Sequence, residues 1–433
     1  MPRLWTECPG RSCTGGDPLL AHLLQATPPC SRRRRRRGVT CAAVPQAAGN
    51  GNGDGATAAP LFTDPWLCQL AAGALVPRRL PADFEKLKDS IYTVDDWQKH
   101  ISISRYFRHL ETMPKSRTVR SLLLPSALSL GQTLAIAAYS TYHPPSWPDL
   151  PGVSQDIFNL TGPILSLLLV FRTDASYTRW DEARRYFGEL IYKSRNLLRQ
   201  GLVVFKGSDE VTALLVRWTV VFGVTLKLHL REDVRREALE VELGGWLTAR
   251  EMDRLAAAEN APNYVLQVLT HIVRRAPPTE RATLDGNLDA FEEVLGRCER
   301  INRVPIPLSY TRHTSRFLIA WLLLLPLGLW NSVHEEAFFL APLMTFLIMG
   351  VDQIGVQLEQ PFWVLPLDIL VSKIKYNAAE LVRTNGETER LVADSAAFGK
   401  ELATAAAKGD CSLDEDACNA RYESRTPSLD KRG

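Results

Sequence analysis

Several kinds of chemistry are missing from this sequence. Its eight histidines never come closer than nine residues apart, at His100 and His109, so there is no histidine box and no HExxH pair to hold a catalytic metal. A nucleophile elbow, a Walker loop and a dinucleotide fingerprint are also missing, so no enzyme class, cofactor or metal site is read from the chain. A surplus of one charge is nearly absent as well. The formal net charge is only +3, and much of the basic excess lies in the single run Arg32–Arg37, which gives no basis for a nucleic-acid partner. Cysteine is sparse. Cys8, Cys13, Cys30 and Cys41 fall in the amino-terminal segment, and Cys68, Cys298, Cys411 and Cys418 imply no disulfide framework. Cys411 and Cys418 stand in a polar tail at a spacing unlike common zinc sites.

What is present is uneven. The whole-chain average, 45% hydrophobic and 23% charged, resembles that of a soluble helical protein, but the apolar residues are gathered into a few stretches with the charge between them. That pattern belongs to an all-α integral membrane protein with large extramembrane helices.

Residues 1–41 hold eight Arg but only two acids, Glu7 and Asp17, with scattered Ser, Thr, Pro and Gly. This composition reads as a chloroplast transit peptide, with "GVTCAA" similar to a stromal processing site and the mature start near Cys41 or Ala42. The alternative is a basic tail that binds nucleic acid or anionic lipid. Residues 42–95 follow as a Gly-rich linker (Gly49–Pro60) and an amino-terminal section. No strand precedes these glycines, so they read as flexibility rather than as a phosphate loop.

Four membrane spans are expected, at about 119–141, 157–178, 313–333 and 337–358. The first contains an uncharged run of 18 residues, Leu122–Tyr139, against the roughly 20 that cross a bilayer. The second has an uncharged run of only 15, Ile157–Phe171, followed at once by Arg172 and Asp174. Charges at that depth turn toward protein or water, so this span is expected to border an aqueous path and to continue outward as one long amphipathic helix. "HEE" (His334–Glu336) separates the last two spans. Val211–Leu230 is apolar but carries Arg217 and Lys227; it reads as one of the packed extramembrane helices of 179–312, with a fifth span as the alternative.

Neither short turn, at 143–152 or at 334–336, contains Lys or Arg, whereas Arg105, Arg108, Lys115, Arg117, Arg120, Arg312 and Arg316 crowd the other ends of the spans. The positive-inside rule therefore puts both termini on one side, the stroma if the membrane is the thylakoid. A polar tail, 375–433, is expected to be mobile beyond about Asn385.

"FNLTGPILSLLLVFRTDASYTRWDEARRYFGEL" (Phe158–Leu190) resembles the second-span signature of the bestrophins, especially their bacterial and plastid branch. Its Leu-Ser-Leu, Phe-Arg, Tyr-x-Arg-Trp and Glu-Ala-Arg carry the match. "GVDQIGVQLEQPF" (Gly350–Phe362) resembles the family segment after the last span, and the likeness extends over about 96–374. The resemblance implies a homopentameric, passive, voltage-dependent channel for chloride and other monovalent anions. Five second spans would line one pore. Its neck positions fall on Pro163, Leu167 and Phe171, with Ile164 able to stand in for Pro163. At i, i+4 and i+8 these positions share one narrow helical stripe. Without the family, Leu167 and Phe171 would read as ordinary lipid or core contacts.

Arg172, Ser176 and Arg179 are expected near the pore, either attracting anions or serving as structural partners of Asp174, Asp181 or Glu182. Animal relatives bind calcium through an acidic cluster after the Pro-Phe. In "EQPFWVLPLD" only Glu359 and Asp368 remain, far short of the six to eight oxygens calcium takes. An anion carrier and a membrane scaffold without channel activity are the alternative functions; no internal repeat of spans favours a carrier.

Overall fold

The computed structural model describes residues 62–75, 94–142, 144, 146, 148 and 152–407. The expected transit peptide, the Gly-rich linker, most of the Pro-rich turn and the residues after 407 lie outside them. The described residues form fourteen α-helices and no strand.

The apolar helices form one group. They are α4 (Arg117–Tyr142), the first half of α5 (Gln155–Val204), α11 (Leu308–Val333) and α12 (Ala337–Glu359), with α4 and α5 both packed on α11 and α12. α11 ends where the sequence places a break, in a 3-10 turn at His334–Glu336, with His334 at φ 48. Between these helices the core is small: Phe158, Leu165 and Leu169 meet Leu318, Leu322 and Leu325. Gly328 makes this possible, because a Cβ there would collide with the Phe158 ring. Leu122, Ile136, Ala337 and Ala341 are also buried, but most other apolar side chains of this group face outward, as a bilayer solvent permits.

The second group is a densely packed helical domain. It contains α6 (Asp209–Leu230), α7 (Arg236–Leu243), α8 (Ala249–Ala257), α9 (Ala261–Val273), α10 (Pro278–Arg303), the outer half of α5 and the start of α14 (Leu367–Ala407). α1 (Pro65–Ala71) caps it, with Leu67 and Leu70 inside. α6 is long and apolar enough to cross a membrane, but 89% of its apolar window is buried by protein. The corresponding shares are 22% for α4 and α5 and 17% for the α11–α12 pair. α6 is therefore the central helix of the extramembrane domain. α2 (Val94–Ile101) and α3 (Arg105–Thr112) precede α4, and the one-turn α13 (Pro361–Val364) joins α12 to α14.

α5 links the two groups. Ser154 caps its start by accepting from the Asp156 amide, and Pro163 is accommodated within it. Its 50 residues span about 75 Å at 1.5 Å per residue. The chain then reverses at Gly207, whose φ of 85 suits a residue without a Cβ.

The carboxyl-terminal segment, expected to be mobile beyond about Asn385, is regular in backbone well past that point. The chain does not become irregular near Asn385. α14 stays helical to Ala407, although its side chains from Glu387 to Glu401 are exposed. Ala, Glu, Leu, Lys and Arg dominate there, and their backbone preference holds a helix without a packed face.

Candidate pore helix and its charges

The neck candidates lie on the surface of the protomer. Leu167 is 54% and Phe171 57% exposed, and Pro163 and Ile164 are exposed beside them. Two residues to either side of Leu167, α5 turns its other face inward, where Leu165 and Leu169 pack on α11. The stripe therefore has no partner within one protomer. A second subunit, lipid or an aqueous path is left to meet it.

Arg172, Ser176 and Arg179 do not adjoin this stripe. At about 100° per residue they point some 120–180° away from Leu167, into the protein. Arg172 is 5% exposed; its guanidinium forms an ion pair with Asp352 of α12 and donates to the Ser315 hydroxyl of α11 at 3.2 Å. Ser176 is fully buried. Arg179 donates to three backbone carbonyls, Glu359 at 3.1 Å, Val304 at 2.6 Å and Ile301 at 2.5 Å. These carbonyls close the carboxyl ends of α12 and α10, where unpaired oxygens and the negative end of the helix dipole favour a cation.

Both arginines are thus engaged within the protomer, with partners different from those the sequence suggested. Asp181 instead pairs with Arg184 at 2.8 Å and Arg185 at 2.6 Å, and Glu182 lies 3.8 Å from Arg300. Sequence reasoning missed Asp352, although a signal existed. It is the one charge inside the last apolar span before Glu359, and its complement, Arg172, ends the apolar run of the second.

After the last span, Asp368 meets cations rather than other acids. Lys227, only 2% exposed, lies 2.7 Å from Glu242 and 2.9 Å from Asp368, and Arg231 reaches Asp368 at 3.0 Å. Burial pushes the Asp368 carboxyl up, but the hydrogen bonds and charges of Lys227 and Arg231 outweigh it and hold the group below the usual carboxylate range. Burial pushes the Lys375 ammonium down, while the neighbouring Glu242 opposes that shift. Lys375 also donates to the Glu242 carbonyl at 2.7 Å, so α6, α7 and α14 are tied together here.

A polar cavity of about 280 Å³ lies elsewhere in the domain. It brings His229 within 2.8 Å of Glu299, which also accepts from Asn260 at 2.8 Å. Among the described residues no group of three or more His, Cys, Asp or Glu side chains is placed to hold a metal.

Comparison with known proteins gives one answer at three levels. The profile of the bacterial/fungal bestrophin proteins matches residues 96–380. A chloroplastic voltage-dependent chloride channel of Arabidopsis thaliana, the one numbered 1, is 34% identical over 313 residues, covering 69% of this chain and 74% of the relative. A voltage-dependent anion channel-forming protein of Nostoc is 31% identical over 247 residues, covering 53% and 78%. The crystal structure of a bacterial bestrophin homologue from Klebsiella pneumoniae superposes with a TM-score of 0.54 at 24% identity, over 61% of this chain and 98% of that one. The fold, the second-span signature and the extent of these matches agree, and the chain belongs to the bestrophin family.

Proposed function

We propose that this protein is an anion channel of a chloroplast membrane, and not an enzyme. Five subunits surround one pore, with the first half of α5 from each lining it. The observation that carries this reading is the exposed Pro163–Leu167–Phe171 stripe, set on a helix whose opposite face is fixed by α11 and α12. Five copies of Leu167 and Phe171 stack as apolar rings. Ions that shed water readily cross such a constriction more easily than strongly hydrated ones, so large monovalent anions pass ahead of small ones.

The chloroplastic relatives and the basic, acid-poor residues 1–41 support import into the plastid, with residues 1–41 as the transit peptide. On the finer reading the membrane is the thylakoid, both termini are stromal, and 96–374 forms the channel domain. The channel is voltage-dependent. Passive chloride flow then balances charge during light-driven proton pumping and shifts the proton motive force between its electrical and pH parts.

Planar-bilayer recording of the purified protein in a potassium chloride gradient tests this. Unitary currents that reverse near the chloride equilibrium potential are expected, together with a pentamer mass in detergent. Slow exchange without unitary events would point to a carrier, and electrical silence to a scaffold.

A further inference from the structure

Once Arg172 and Arg179 are bound up in the fold, the first uncommitted charge past the neck is an acid. Asp174 lies three residues beyond Phe171 and seven beyond Leu167. At about 100° per residue it returns to within about 20° of the Leu167 direction. It is exposed, and no ion pair or side-chain hydrogen bond engages its carboxylate; only its backbone carbonyl is used, accepting from Thr178. The nearby bases are engaged elsewhere: Arg172 with Asp352, Arg179 with helix-end carbonyls, and Arg184 and Arg185 with Asp181.

We propose that Asp174 forms a ring of five carboxylates at the domain-side mouth of the neck, a fixed negative collar that throttles anion entry from that side and makes the current rectify. This rests on the pore reading above, in which α5 turns its Leu167 face to the axis. A negative ring in a narrow passage repels anions and concentrates cations. It therefore works against the anion preference of the pore instead of creating it. Anions arriving from the opposite side meet the apolar rings first and leave past the collar, so their current is larger than in the reverse direction.

The test uses the full-length protein in planar bilayers at two salt concentrations, with Asp174→Asn and Asp174→Glu. In 0.1 M chloride, where the Debye length is about 10 Å, Asp174→Asn is expected to raise unitary anion conductance about twofold or more and to make the current–voltage curve more symmetric. In 1 M salt, where that length is about 3 Å, the difference should largely vanish. Asp174→Glu should keep wild-type behaviour.

Wild-type anion currents together with an unchanged Asp174→Asn at 0.1 M would overturn the collar and leave the channel reading standing. A Glu variant that behaves like the Asn variant would show that charge is not the cause. Absence of anion current from the wild type would remove the pore itself, and the collar with it. If Asp174→Asn does not assemble, Asp174→Cys modified on the formed channel replaces it, with identically treated wild type as control. A cationic methanethiosulfonate should then raise the anion current and an anionic one lower it; equal effects of the two would refute the proposal.

Discussion

The Arg172–Asp352 pair ties the second membrane helix to the last, and its energetics follow from its surroundings. Arg172 has two side-chain partners in the protein, Asp352 and the Ser315 hydroxyl, and its Nε has none. Asp352→Ala therefore leaves a guanidinium buried with one neutral acceptor. Breaking a buried pair by removing one partner costs about 3–5 kcal/mol. Replacing both charges with apolar groups, as in Arg172→Met with Asp352→Ala, is expected to lie within about 1 kcal/mol of wild type or to be more stable. The cycle should thus show a coupling of at least about 2 kcal/mol. Thermal unfolding of the detergent-solubilised oligomer, read by intrinsic fluorescence and by size exclusion, ranks the four proteins. In bilayers the double variant should keep the wild-type ratio of anion to cation permeability, because the charges it removes cancel each other. The reasoning fails if Asp352→Ala melts with the wild type. It fails equally if the double variant assembles normally but loses its preference for anions, since Arg172 would then be facing the ion path.

Three other outcomes are expected. Leu167→Ala with Phe171→Ala should raise conductance and shrink the advantage of weakly hydrated anions while sparing preference for anions over cations; an intact oligomer with unchanged conductance and ranking would count against the neck. Open probability should be insensitive to calcium chelators on the domain side, since Asp368 is already neutralised by Lys227 and Arg231, and a steep rise with micromolar calcium would contradict this. The depressed Asp368 pKa contributes stability that is present above the ordinary carboxylate value of about 3.9 and lost as pH falls through the lower folded value, so acid unfolding near and below pH 4 should lose part of its steepness in Lys227→Met; an unaltered acid limb would show that the pair does not set it.

Much of this architecture is legible in the sequence because it follows from local pattern. The uncharged runs mark α4, α11 and α12, the charges of α5 follow helical spacing well past the bilayer, and the basic residues inside the apolar stretch 211–230 betray a helix sheathed by protein. What is not legible depends on distant contacts. Arg172 and Asp352 are 180 residues apart, and Arg179 finds carbonyls at the ends of two helices that sequence spacing cannot bring together. Local candidates such as Asp174 and Asp181 were nearer along the chain, but α5 presents them to a different face. The end of α14 is hard to read for the opposite reason. Its polarity argued against order, while its backbone propensity, which needs no packing, kept it helical to Ala407.

The placement of charge also bears on where ion selection can reside. A guanidinium buried against a carboxylate adds no net charge to the pore, and one that closes three carbonyls offsets the negative ends of the helices it caps. If the stripe is the proposed neck, then with Arg172 and Arg179 so committed and Asp174 free, the side chains of α5 next to it carry no net attraction for anions. On the proposed reading, preference for anions must then arise in the neck, where dehydration is unavoidable, or from basic groups farther along the ion path. Lys227 plays a comparable part just beyond the carboxyl end of the last span. Seated between Glu242 and Asp368, it supplies from within the chain the positive charge that a carboxylate cluster would otherwise need from a bound ion. The segment after α12 is thereby held to α6 and α7 by fixed charges, and an ion-triggered change at that joint would first have to displace an ammonium that is almost wholly out of water.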